Sequence, residues 1–228
     1  GVGMKVFPYF NSLQMFAHHE QIPYENMHAV SVTGRPWHEL DRALLECRPL
    51  IGVLTDHVHT PRAIAKRMME YHLDKDYTMR VAEHLGNPKK EKIYNIYSIE
   101  EISKMSFSSP NCVLLMKAPN STQQRPVLGI PDTKFVLLND RAKMITKAPI
   151  RVIDLSLLEL HNSRIFWDIG ACTGSVSIEA RRQYPHLNIQ AFEVREECKD
   201  IIRANARLHS APGIDLHIGN FLNLPIAE

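Results

Sequence analysis

No apolar run in the 228-residue sequence reaches the roughly 20 residues that a membrane-spanning helix needs. A chain acting within a bilayer is therefore not expected, and no secretory signal is visible at its start. Cysteine is scarce. Cys47, Cys112, Cys172 and Cys198 stand far apart, with neither the short spacing of a zinc site nor the density of a disulfide framework. Free thiols in a reducing cytoplasm are the expectation. The twelve histidines include only two close pairs, His18-His19 and His57-x-His59, and no third ligand follows either at a useful spacing. No metal site is expected from this pattern. A basic excess is also missing. The net charge is +2, which argues against a dedicated nucleic-acid binder. The densest basic stretch, Asn87-Pro88-Lys89-Lys90-Glu91-Lys92, reads as a solvated turn. There is no internal repeat.

What is present suffices for one large domain or two small ones. Periodicity predicts a helix over Ser12–His19, with Leu13, Phe16 and Ala17 inward, after a short strand at Met4-Lys5-Val6-Phe7 and a Pro8 turn. Further strands are expected at Ala29–Val32, Leu50–Thr55, Tyr77–Val81, Ile93–Tyr97 and Val113–Met116. Helices are expected over Glu39–Cys47 and from Thr60-Pro61 to about Tyr71, the latter opened by a capping threonine and a proline at the first helical position. Ser98-x-x-Glu101 matches a capping box before a short helix. Residues 119–128 are polar and aperiodic and read as a linker between units 1–118 and 129–228.

Beyond the linker, strand and helix alternate. A helix over Lys147–Leu160 precedes a buried strand at Ile165-Phe166-Trp167. A helix over Ser175–Tyr184 leads to a strand at Leu187–Phe192. A helix over Glu196–His209, with Cys198, Ile201, Ile202, Asn205 and Leu208 on one stripe, leads to a strand at Ile214–Ile218. This order implies an α/β fold with a parallel sheet.

The chemistry concentrates at Trp167-Asp168-Ile169-Gly170-Ala171-Cys172-Thr173-Gly174-Ser175, between the first of these strands and its helix. Gly170 and Gly174 let backbone approach a ligand, and Ser175 opens a helix whose first N–H groups are free. Glu193 ends the next strand, where a carboxylate can accept bonds from two ribose hydroxyls. The third glycine of a dinucleotide fingerprint is missing. Asp168 would repel a pyrophosphate and favour a ligand carrying an ammonium and a sulfonium, which points to S-adenosyl-L-methionine. Asn220 follows the third strand at the same sheet edge and is placed either against adenine or as a turn residue.

Three stretches then carry a resemblance: Gly129-Ile130-Pro131-Asp132-x-x-Phe135, Met144-Ile145-Thr146-Lys147, and Trp167 through Glu179. They resemble the decarboxylating part of the precorrin-6Y methyltransferase family of cobalamin biosynthesis. The first half is similar to the other part of that bifunctional family, a tetrapyrrole methylase. It shows this in Val6-Phe7-Pro8-Tyr9-Phe10-Asn11-Ser12, Val30-Ser31-Val32-Thr33-Gly34-Arg35, Val53-Leu54-Thr55-Asp56-x-x-x-Thr60-Pro61-x-x-Ile64-Ala65 and Glu83-His84-Leu85-Gly86-Asn87-Pro88. The family has glycine where Cys172 stands, and its N-terminal glycine-rich strand and Gly-Asp-Pro loop have no counterpart here. Gly1-Val2-Gly3 is read as a remnant of that region or a tag scar, and the second half stops after three strands. The resemblance thus implies part of a tetrapyrrole methylase domain followed by a partial Rossmann-like class I methyltransferase domain.

It further implies S-adenosyl-L-methionine-dependent methylation of a precorrin at carbons 5 and 15, with loss of an acetate carboxyl group. A small tetrapyrrole is the implied partner, in a cytoplasmic homo-oligomer such as a tetramer. Thr146 joins Asp168, Gly170, Gly174, Ser175, Glu193 and Asn220 as a cofactor contact. No side chain is assigned to catalysis. Arg35, Lys147 and Arg151 are candidate partners for substrate carboxylates. A methyltransferase acting on protein or nucleic acid, and an inactive cofactor-binding fragment, remain open as alternatives.

Overall fold

The computed structural model describes residues 4, 10–95, 98–119, 121 and 128–223. The expected strand at Met4–Phe7 with its Pro8 turn, the Gly1-Val2-Gly3 segment, Ile96 and Tyr97, and most of the 119–128 stretch lie outside the described residues. The rest forms two compact units, one built mainly from residues up to Ser121 and one mainly from Leu128 onward.

In the first unit, α1 (Ser12–His19) is opened by a complete capping box. Asn11 Oδ1 accepts from Gln14 N at 2.8 Å, and Gln14 Oε1 accepts from Asn11 N at 3.1 Å. Then come β1 (His28–Ser31), α2 (His38–Leu45), β2 (Leu50–Leu54) and α3 (Pro61–Glu70). Thr60 Oγ1 caps α3 by accepting from Ala63 N at 3.2 Å, as the Thr-Pro pair predicts. The unit is completed by β3 (Tyr77–Glu83), β4 (Lys92–Tyr94), α4 (Ile99–Ile102) and β5 (Asn111–Lys117). At α4 only one half of the expected box forms, with Ser98 Oγ accepting from Glu101 N at 3.4 Å.

The sheet order is β1-β2-β5-β3-β4; β1 and β2 run parallel and the other pairings are antiparallel. Helix α1 lies against β2 and β5, burying Leu13, Phe16 and Ala17 with Ala82, Cys112 and Leu114. Gly52 makes this close approach possible. A Cβ there would stand 2.7 Å from Met27 Sδ and 3.0 Å from Leu13 Cδ1.

The second unit contains α5 (Ala148–Leu157), β6 (Ile165–Ile169), α6 (Ser175–Gln183), β7 (Asn188–Glu193), α7 (Cys198–Leu208) and β8 (Ile214–Ile218). Its three strands are parallel in the order β6-β7-β8, as the alternation predicts. One face of the sheet is apolar and covered. Phe166 and Ile189 pack with Leu155, Leu160, Ala180 and Leu187, while Ala191 packs with Leu138, Ala171, Cys198 and Ile202.

The other face differs from expectation. The strand before the glycine loop was expected to be buried, but it is an edge strand among the described residues, and only Phe166 on it is fully buried. Ile165, Trp167 and Ile169 point the other way and are about half exposed, at 55%, 41% and 56%. The run Ile-Phe-Trp is uniformly apolar, so its sequence hides the alternation that period-2 backbone geometry imposes. On the same face, Gln190 Nε2 donates to Asp215 Oδ2 at 2.8 Å, and His217 Nε2 lies 2.6 Å from Gln190 Oε1. Leu208, expected on the buried stripe of α7, is likewise exposed at the helix end, whereas Cys198, Ile202 and Asn205 are buried.

Candidate cofactor site

The parallel sheet brings the carboxyl ends of its strands to one edge, where open α/β sheets bind ligands. Asp168 stands near the end of β6, Glu193 ends β7, and Asn220 follows β8 two residues after its last member. The loop between β6 and α6 needs a positive φ at three places: Gly170 at +86°, Cys172 at +48° and Gly174 at +72°. Glycine suits the first and third. Around Gly170 a Cβ would meet nothing within 4 Å, so that backbone is open to a ligand. At Gly174 a Cβ would come within 3.0 Å of Ile202 Cγ2, so this glycine serves helix packing. The loop is pinned to β7 by Gly170 N and Ala171 N, which both donate to Phe192 O, at 2.8 and 3.0 Å.

Asp168 reaches the start of α6. Its Oδ2 accepts from Ser177 N at 3.1 Å and from Ser177 Oγ at 2.6 Å, so the strand-end carboxylate caps the helix from behind. Among the described residues Oδ1 has no hydrogen-bond partner. Burial pushes the Asp168 carboxyl above the usual carboxylate range, the nearby Glu193 charge adds to this, and the two Ser177 bonds oppose it. Ser175 is buried at the first position of α6.

Glu193 is buried and surrounded by donors. Oε2 accepts from Cys172 N at 2.8 Å and Arg195 Nη2 at 3.1 Å. Oε1 accepts from Val194 N at 2.9 Å, Arg195 N at 3.0 Å and Arg195 Nε at 2.9 Å. Burial pushes its carboxyl upward, but the Arg195 and backbone donors outweigh this and hold it below its ordinary value. The Arg195 side chain is one-third exposed and closes the carboxylate on its solvent side.

Other expected contacts are placed less directly. Asn220 is exposed, and its Oδ1 accepts from Leu222 N at 3.1 Å, the turn role weighed for it. Thr146 is exposed, and its carbonyl accepts from Arg151 Nη1. Arg151 itself corrects an expectation. It cannot reach out to a substrate carboxylate, because its side chain is fully buried. Its Nε donates to Glu179 Oε1 at 2.7 Å and its Nη1 to Asp132 Oδ1 at 2.8 Å. It also donates to the Ile130 and Thr146 carbonyls and lies over the Phe135 ring. Glu179 Oε2 in turn accepts from Gly129 N at 2.7 Å. The three motif stretches, far apart in sequence, are thus tied together by one buried guanidinium. Lys147 is half exposed and pairs with Asp132 Oδ2 at 3.4 Å; Arg35 is exposed.

Sequence reasoning missed two features. Asn205, taken for part of an apolar stripe, is a polar brace. Its Oδ1 accepts from Val136 N at 2.7 Å, and its Nδ2 donates to Val136 O at 3.0 Å and Thr173 O at 2.9 Å, fastening α7 to the glycine loop. The second is a gathering of Cys172, Glu193 and Cys198, all buried, whose ligand atoms lie within 4.8 Å of one another. Burial, with Cys172 beside it, pushes the Cys198 thiol up to about 12.

Residues 138–223 match the family model described as a precorrin methyltransferase domain. Over 72 residues the chain is 39% identical to the cobalt-precorrin-6B C(15)-methyltransferase (decarboxylating) of Salmonella typhimurium, covering 32% of this chain and 38% of that protein. Over 186 residues it is 26% identical to the precorrin-6Y C(5,15)-methyltransferase (decarboxylating) of a Sinorhizobium species, covering 81% of this chain and 43% of that protein. The chain therefore spans less than half the length of these curated relatives. A crystal structure of precorrin-6Y C5,15-methyltransferase from Geobacter metallireducens is 35% identical, with 45% of this chain and 55% of that chain covered and a TM-score of 0.39. No helix among the described residues is long and apolar enough to cross a membrane. Residues 138–223 match a precorrin methyltransferase domain, and the chain is similar to parts of the decarboxylating precorrin-6Y and cobalt-precorrin-6B methyltransferases.

Proposed function

We propose that this chain is part of an S-adenosyl-L-methionine-dependent C-methyltransferase that methylates precorrin-6Y at carbons 5 and 15 and removes an acetate carboxyl group. The observation that carries the reading is the convergence of Asp168, the open Gly170 backbone and Glu193 at one edge of the parallel sheet, inside the segment matching the methyltransferase family model. Asp168 Oδ1 is the oxygen available to the cofactor's ammonium. Its partly desolvated setting rewards a cationic partner, since a charge pair is stronger where water is scarce. Glu193 would receive the ribose hydroxyls once Arg195 turns outward, two ligand donors replacing the guanidinium's two.

The reaction asks little acid–base chemistry of the protein. The sulfonium methyl is already activated, and the protein's task is to align it with the ring carbon. Of the cations considered for substrate carboxylates, Arg35 and Lys147 keep the exposure the role needs, and Arg151 does not. The division into 1–118, linker 119–128 and 129–228, the contacts from Ser175, Thr146 and Asn220, the homo-oligomer and the cytoplasmic setting belong to the same proposal. They rest on the sequence and on the family resemblance.

Calorimetry with S-adenosylhomocysteine tests the site. Glu193→Gln keeps the shape but turns one of the two accepting oxygens into a donating amide nitrogen and removes the charge, and it should weaken binding by ~1–3 kcal/mol, the range for a hydrogen bond to a charged group. Unchanged affinity would remove Glu193 from the site, and a folded wild-type chain that binds no S-adenosylhomocysteine would overturn the cofactor assignment. Incubation with labelled S-adenosylmethionine and precorrin-6Y then tests the substrate.

A further inference from the structure

We propose that Cys172, Glu193 and Cys198 form a three-ligand site for a thiophilic divalent cation such as Zn²⁺ or Cd²⁺. The three residues come from different elements. Cys172 sits in the glycine loop, Glu193 ends β7, and Cys198 is the first residue of α7. Their sulfur and oxygen atoms already lie within 4.8 Å of one another, and all three side chains are buried. A tetrahedral zinc with Zn–S bonds of about 2.3 Å and a Zn–O bond of about 2.1 Å needs ligand atoms roughly 3.5–3.8 Å apart. The ligand set is thus within about an ångström of closing on a metal. Two sulfurs select soft, thiophilic ions over magnesium or calcium.

The surroundings supply the outer shell such a site needs. Backbone N–H groups of Cys172, Val194 and Arg195 already orient the Glu193 carboxylate, at 2.8, 2.9 and 3.0 Å. The Arg195 guanidinium now occupies the Glu193 carboxylate, and its one-third-exposed side chain can turn to solvent. On binding, each thiol gives up its proton to water as its sulfur joins the cation. Two thiolates and one carboxylate then hold a doubly charged ion, and Arg195 offsets the remaining negative charge. Three protein ligands leave a fourth position for water. The metal would take the Glu193 carboxylate that the nucleotide reading gives to the ribose, so the two are alternative occupants, and the test uses the metal alone without nucleotide.

The test uses the full chain with Cys47→Ser and Cys112→Ala, so that only the two thiols of the site remain. Cd²⁺ is titrated in and the ultraviolet thiolate-to-cadmium charge-transfer absorption is followed. One Cd²⁺ per chain is expected. Cys172→Gly, which suits the loop's positive φ, and Cys198→Ser should each lower the affinity by at least about a hundredfold, because even outer-shell partners of a metal site are worth 10–100-fold. Circular dichroism checks that each variant folds. If Cys198→Ser does not fold, the Cys172→Gly comparison decides alone. Absence of the charge-transfer band in the folded double variant, or equal affinity after Cys172→Gly, overturns the proposal.

Discussion

Replacing Arg151 by methionine should cost the second unit about 3–5 kcal/mol. The magnitude follows from what the guanidinium leaves behind. Arg151 is fully buried, and its partner Glu179 is 2% exposed. Breaking a buried ion pair on one side strands a charge in low dielectric, which is the costly case. Among the described residues Glu179 would keep the hydrogen bond from Gly129 N, with the Arg182 charge nearby, and the Ile130 and Thr146 carbonyls would lose theirs. Asp132 is partly exposed and pairs with Lys147 as well, so it adds little. A domain's total stability is about 5–15 kcal/mol, so a loss of this size moves it towards unfolding at room temperature. Urea denaturation followed by Trp167 fluorescence, in a Trp37→Phe background, reads this unit selectively, since the sequence has two tryptophans. The double variant Arg151→Met/Glu179→Met replaces both charges by apolar groups and should recover most of the loss. A single-variant cost below about 1 kcal/mol would refute the picture of the guanidinium as the tie between the motif stretches.

Asn205→Leu removes three hydrogen bonds at the loop and should cost about 1–3 kcal/mol per buried group left unpaired, with faster amide hydrogen exchange at Val136 as the local readout. Gly174→Ala forces a side chain into a left-handed conformation and against Ile202; a loss of at least about 1–2 kcal/mol in the same urea titration is expected. Lowering the pH should weaken the second unit. Asp132 and Glu193 are both held below their ordinary values, so the stability they contribute is full above the unfolded-state values of about 4. It is lost as the pH falls through their depressed folded-state values. Glu193→Gln should flatten that acid dependence, which circular dichroism against pH would show.

Much of the second unit was legible because each of its cues has a short-range cause. The turn at Gly170 and Gly174, the start of α6 and the alternation of β8 depend on residues within a few positions of one another. What was hidden depends on contacts between distant segments. Arg151 looks like an ordinary surface cation until Glu179 and Asp132 converge on it. Asn205 has the spacing of an apolar stripe and becomes polar architecture only where the 136 backbone passes. Cys172 and Cys198 are twenty-six positions apart, outside any ligand spacing a linear pattern would flag. The exposed side of β6 was missed for another reason. Ile165, Phe166 and Trp167 are alike in hydropathy, so the sequence carried no sign of which one faces water.

Helix α6 is held at two points a short distance apart. Asp168 grips its first turn through Ser177, and Glu179 fixes the next through Arg151 and Gly129. A beam clamped twice near one end has little freedom to tilt there, so the ordering of that end is complete when the chain folds. A ligand that seats against the Gly170 backbone meets a floor whose disorder has already been removed. The entropy charged on its arrival then falls on the ligand itself and on the Arg195 side chain that must step aside.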